Sequence, residues 1–82
     1  MRGPLRYNVI FKPEPEGGFT VIVPSLPGCI TYGRNLKEAK KMVIDAIEGY
    51  IASLKKHKEP IPTSEGELFT YVEVKRKTPV YV

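Results

Sequence analysis

The side chains that could do covalent or acid–base chemistry are few in this 82-residue chain, and they do not cluster. There is one cysteine, Cys29, and one histidine, His57. A thiolate nucleophile needs a nearby cation, an imidazole or a helix N-terminus to lower its pKa. His57 falls at the far end of the helix that follows Cys29, so Cys29 reads as a small buried strand residue. Ser25 stands beside Pro24 with no base in reach to activate it. Asp45 and Glu48 fall on the polar face of the same helix, where solvated carboxylates usually sit. One His and one Cys do not make a metal site, which needs several ligands at suitable spacing. Gly17-Gly18 lacks the following helix and the Lys-Ser/Thr of a phosphate loop. These residues predict no catalytic, metal or cofactor site and a protein that acts by binding rather than as an enzyme.

Composition sets the frame for that reading. Hydrophobic content of 41% and charged content of 27% suit one small globular domain spanning 1–82, with 1–5 and 78–82 as terminal tails. A chain of this size buries only about 60–65% of the surface its unfolded form exposes, so its core is thin. No apolar run approaches the ~18 residues that span a bilayer, and the N-terminus lacks an apolar signal core. The lone cysteine forms no intrachain disulfide, which fits a reducing compartment; the expectation is a soluble cytoplasmic protein without membrane contact. The net charge of +4 comes with three basic groups, Lys37/Lys40/Lys41, Lys55/Lys56/Lys58 and Lys75/Arg76/Lys77. Each reads as a solvated surface or as a nucleic-acid contact whose affinity would fall with salt. No aromatic–basic interleaving of a single-strand groove accompanies them.

The elements that position these residues follow from local pattern. Arg6–Lys12 is aromatic and β-branched and predicts strand one. Pro13-Glu14-Pro15-Glu16-Gly17-Gly18 predicts a turn, since proline cannot donate to a ladder and glycine accepts positive φ. Phe19–Val23 predicts strand two, closing a hairpin. Pro24-Ser25-Leu26-Pro27-Gly28 holds two prolines and a glycine in five residues and predicts a rigid corner into a short strand three, Cys29–Tyr32. Asn35 predicts a helix N-cap, with Glu38 three residues on as the capping-box partner. At 100° per residue, Leu36, Ala39, Val43, Ala46, Ile47, Tyr50, Ile51 and Leu54 form one apolar stripe. The helix must end before Pro60, and Glu59–Gly66 predicts a stiff loop. Leu68–Lys77 alternates well enough to predict strand four, and Pro79-Val80-Tyr81-Val82 an apolar tail.

Alternation in strands assigns two faces. Tyr7, Val9 and Phe11, with Phe19, Val21 and Val23 and with Phe69 and Tyr71, form the face expected to receive the helix. The other face carries Ile10, Ile22, Ile30 or Tyr32, Val72 and Val74, and is not purely polar. A single helix covers one face, so the second predicts a protein interface: a partner or a homo-oligomer, dimer or tetramer. The alternatives are direct nucleic-acid binding through the basic groups and an obligate oligomer with a structural or regulatory role.

The run Gly17-Gly18-Phe19, Pro24-Ser25-Leu26-Pro27-Gly28-Cys29, Thr31-Tyr32-Gly33 and Leu36-Lys37-Glu38-Ala39, with Ile47–Tyr50 and Ile61-Pro62, resembles the HicB-like antitoxin family. The resemblance spans Tyr7 to Pro62. It implies an α+β fold of order β-β-β-α-β, a mainly antiparallel sheet with one helix on one face, truncated ribonuclease-H-like and without nuclease carboxylates. It also implies that the chain neutralises a HicA-type RNA-cleaving toxin by direct contact. Full-length relatives append a DNA-binding segment that this chain does not show. On this reading Gly17, Gly18, Pro24, Leu26, Pro27, Gly28, Asn35 and Glu38 build the scaffold. Ile10, Ile22 and Tyr32 on the second face, with Glu14 and Glu16 in the acidic turn, are the residues expected to meet the toxin.

Overall fold

The computed structural model of the chain describes residues 4–76. Its regular elements are β1 (Ile10–Pro13), β2 (Phe19–Ile22), β3 (Ile30–Gly33) and α1 (Leu36–Lys56). The strands form one antiparallel sheet in the order β1-β2-β3. Phe11 pairs with Val21 and Val21 with Thr31, while Ile10 pairs with Ile22 and Ile22 with Ile30. The fold is therefore α+β, three antiparallel strands followed by one helix.

Both connections are built as their residues dictate. In the β1–β2 turn the Gly17 N–H donates to the Glu14 carbonyl at 2.9 Å and the Glu14 N–H to the Gly18 carbonyl at 3.0 Å. Gly17 sits at φ 108°, which a side chain would strain. In the corner, the N–H groups of Leu26 and Cys29 donate to the carbonyls of Val23 and Leu26, and the Val23 N–H to the Cys29 carbonyl. That closure drives Leu26 wholly into the core. From the helix, the Tyr50 hydroxyl donates to the Pro27 carbonyl at 2.8 Å and holds the corner down.

The core is Val21, Val23, Leu26, Cys29, Ala39 and Val43, flanked by Tyr7, Val9, Phe11, Phe19, Ala46, Ile47 and Tyr50. Phe11 and Phe19 meet edge to face with ring centroids 6.5 Å apart. Helix and sheet approach closely at Gly33, where an added Cβ would overlap the backbone N and Cα of Ala39. The helix packs chiefly on β3 and then on β2. Leu36 departs from the predicted stripe: it is 45% exposed, being the first helical residue, just past the end of β3.

The caps show how the helix is bounded. The Asn35 side-chain oxygen accepts the Glu38 N–H at 2.8 Å, as the sequence predicts. The Glu38 carboxylate does not close the box on the Asn35 N–H. It accepts the Arg34 N–H at 2.7 Å and pairs with the Arg34 guanidinium at 3.0 Å, so the neighbouring cation redirects it. At the other end the Lys58 N–H donates to the Lys55 carbonyl and the Glu59 N–H to the Leu54 carbonyl. This is a Schellman closure with Lys58, at φ 56°, in the position glycine usually fills.

The strand predicted at Leu68–Lys77 is absent from the described residues: Leu68–Arg76 belong to no ladder, and Leu68 is 87% and Val74 86% exposed. The physical reason lies just before it. Ser64 is buried, its N–H donating to the Arg6 carbonyl at 3.1 Å and its hydroxyl accepting the Asn8 N–H at 2.8 Å. The turn Ser64–Glu67, with Gly66 at φ 88°, then leads the chain on from that anchor. Ser64 also explains why β1 begins at Ile10 rather than Arg6. Once Pro24 turns β2 away, Asn8 loses its neighbour and Ser64 takes the place. Lys77 and the predicted apolar tail Pro79–Val82 lie outside the described residues, as do residues 1–3.

Candidate interaction face

The face of the sheet opposite the helix is built by register alone. Residues paired across antiparallel strands point to the same side, so Ile10, Ile22 and Ile30 form one row and Lys12, Thr20 and Tyr32 the next. Ile30 is 59% and Tyr32 48% exposed, Ile10 is exposed and Ile22 half-buried. Three isoleucines side by side across three strands make a continuous apolar band rather than scattered β-branched residues.

Polar contacts fix the rim of this band. The Tyr32 hydroxyl donates to the Gly17 carbonyl at 3.0 Å, laying the ring against the hairpin turn. A side chain at Gly18 would collide with that hydroxyl, so the Gly-Gly pair serves both the turn and the seating of Tyr32. The Thr20 hydroxyl donates to the Glu14 carboxylate at 2.5 Å, which brings this acid to the edge of the face. Glu16 is exposed at the tip of the same turn. The structure thus brings Ile10, Ile22, Tyr32 and Glu14 to one surface, with Glu16 at its margin. Sequence reasoning left Ile30 and Tyr32 as alternatives; alternation puts Lys12 with Ile10 and Thr20 with Ile22, as the register has them, but neither Lys12 nor Thr20 was among the residues expected to meet the toxin. Period-two alternation places Ile30 and Tyr32 on the same side, and only the register shows Ile30 completing the row.

The groups with chemical potential stay apart. Burial pushes the Cys29 thiol above its ordinary pKa, away from thiolate reactivity. His57 caps the helix, its Nδ1 2.8 Å from the Ser53 carbonyl. Ser25 is bound to Ser64 at 2.9 Å. Among the described residues no group of His, Cys, Asp and Glu could hold a metal ion, and no helix is long and apolar enough to cross a membrane. The basic groups Lys37/Lys40/Lys41 and Lys55/Lys56/Lys58 lie at opposite ends of α1, about 25 Å apart at 1.5 Å per residue, so they are not one patch.

Comparison with known proteins places this scaffold. Residues 7–79 match the family described as the HicB_like antitoxin of bacterial toxin-antitoxin systems. A UPF0150 protein of Thermoplasma acidophilum is 46% identical over 66 residues, covering 80% of this chain and 96% of its own length. A UPF0150 protein of Archaeoglobus fulgidus is 34% identical over 74 residues, covering 90% of this chain and 99% of its own. Antitoxin HicB 1 of Photorhabdus laumondii is 35% identical over 74 residues, covering 85% of this chain but only 45% of its own length. With the family match running over nearly the whole chain, this protein belongs to the HicB-like antitoxin family of bacterial toxin–antitoxin systems.

Proposed function

We propose that the chain is a non-enzymatic antitoxin that neutralises a HicA-type, mRNA-cleaving toxin by direct contact through the bare face of its sheet. The observation that carries this reading is the Ile10–Ile22–Ile30 row, exposed at Ile10 and Ile30 and half-buried at Ile22, flanked by Tyr32 and the acidic turn, on a member of an antitoxin family. An apolar band supplies contact area that water disfavours. Glu14 and Glu16 complement the basic surface an RNA-cleaving partner needs, aiding encounter rate and orientation. The sheet with its single helix is the truncated ribonuclease-H-like scaffold. The protein works in the cytoplasm as a homo-oligomer.

Co-purification from the native host, followed by an RNA-cleavage assay, tests the reading. The expected result is a small basic partner whose ribonuclease activity this chain suppresses at one-to-one stoichiometry. Recovery with no such partner, or cleavage unaffected by saturating chain, contradicts it.

A further inference from the structure

Three observations meet at β1. The first is an unpaired backbone edge. The Glu14 N–H points to β2, where it bonds Gly18, so by period two the backbone groups of Lys12, Ile10 and Asn8 point the same way. Those of Val9 and Phe11 point outward, and among the described residues no strand lies beyond β1. The second is an apolar groove of about 430 Å³ beside that edge. Because α1 rides over β3 and β2, Leu5, Tyr7 and Val9 line one side of this groove and Val43, Ile47 and Ile51 the other. The third is the segment Leu68–Val74, whose large apolar residues are all more than half exposed.

We infer that Leu68–Val74 is an added strand for a second copy of this chain, lying parallel to the partner copy's β1 and filling its groove. This deepens the self-association proposed above and rests on it. Direction follows from charge. A parallel strand with Leu68 level with Tyr7 sets Glu73 beside Lys12 and Lys75 beside Glu14. An antiparallel one would bring Lys75 and Arg76 towards Arg6. In this register Leu68, Thr70, Val72 and Val74 face the groove, and Phe69 and Tyr71 extend the bare face, the reverse of the facing the sequence predicts. The groove that receives it belongs to another copy because Ser64 is fastened on the β2 side of β1, to Arg6, Asn8 and Ser25. The free edge is on the other side. A Cα radius of gyration of 16.0 Å, against about 12 Å for a compact chain of this length, agrees with a segment that has left its own body.

Solution mass tests self-association, and cysteine pairing tests the strand. The full chain is expected at a multiple of 9.2 kDa at micromolar concentration, and Tyr71→Pro/Val72→Pro at 9.2 kDa with unchanged helical circular dichroism. Oxidising a mixture of Glu14→Cys and Lys75→Cys chains is expected to give mixed covalent dimers at least tenfold above either chain alone. A monomeric parent chain overturns both the self-association and this inference. An oligomer that survives the double proline variant overturns this inference alone. So does a doubly substituted chain, Glu14→Cys/Lys75→Cys, that closes only on itself.

Discussion

The two faces of the same three strands differ less in composition than in what covers them. On one side Phe11, Val21 and Val23 meet Ala39 and Val43 of the helix, and Val21 is wholly buried. On the other, one residue along, Ile10, Ile22 and Ile30 are as apolar, yet Ile10 and Ile30 lie open and Ile22 is only half-buried. A strand residue's fate here is decided by the parity of its position and by the presence of one helix, not by its hydrophobicity. The covered face stabilises the fold; the bare face leaves a contiguous apolar band at the surface, the kind of feature that marks interaction sites.

Substitutions can break that comparison. Val21→Asp places an unpaired charge in the core and should unfold the domain, a cost of several kcal/mol against a total of about 5–15 kcal/mol. Circular dichroism reads the loss. Gly33→Ala pushes a methyl into the backbone of the first helical turn and should cost about 1–3 kcal/mol by forcing helix and sheet apart, visible as a lower denaturant midpoint. Ile22→Asp, on the open side, should leave the helical signal intact with a stability change near 1 kcal/mol while weakening association. Equal unfolding by Val21→Asp and Ile22→Asp would erase the distinction between the faces.

Smaller effects sharpen the picture away from the sheet. Lys58→Gly relieves a left-handed backbone at the helix C-terminus and should stabilise by about 1 kcal/mol, raising the melting temperature by several degrees. The Arg34 side-chain bond, then the Arg34 N–H, hold the Glu38 carboxyl below its ordinary pKa. A lowered folded-state pKa gives stability that is present above the unfolded value and lost as pH falls through the folded one. Glu38→Gln should therefore lower the melting temperature slightly at neutral and high pH and leave it unchanged at acid pH, flattening a small part of the acid-side decline; the effect is small because the pair is solvent-exposed.

Much of this architecture was legible because its determinants are local. Asn35 caps, Gly17 turns, and the Pro24–Gly28 corner closes on hydrogen bonds within five residues. The Ala39-Val43-Ile47 spacing marks the helix face, and alternation sorts Val21 from Ile22. What escaped depends on partners distant in sequence. The strand predicted after Leu68 has the right residues but no ladder among the described residues, since Ser64 is tied to Arg6 and Asn8 more than fifty positions away. Glu38 was expected to reach the Asn35 N–H, and the Arg34 guanidinium drew it elsewhere. The apolar row needed the register, because no single strand shows that Ile10, Ile22 and Ile30 line up.

The most direct measurement is the affinity of a HicA-type toxin from the native host for the parent chain and for Ile22→Asp, each with its circular dichroism recorded. The account predicts a variant that is folded and binds at least about 30-fold more weakly, the loss of one central contact of about 2 kcal/mol. A folded Ile22→Asp chain that binds and silences the toxin as the parent does would contradict it.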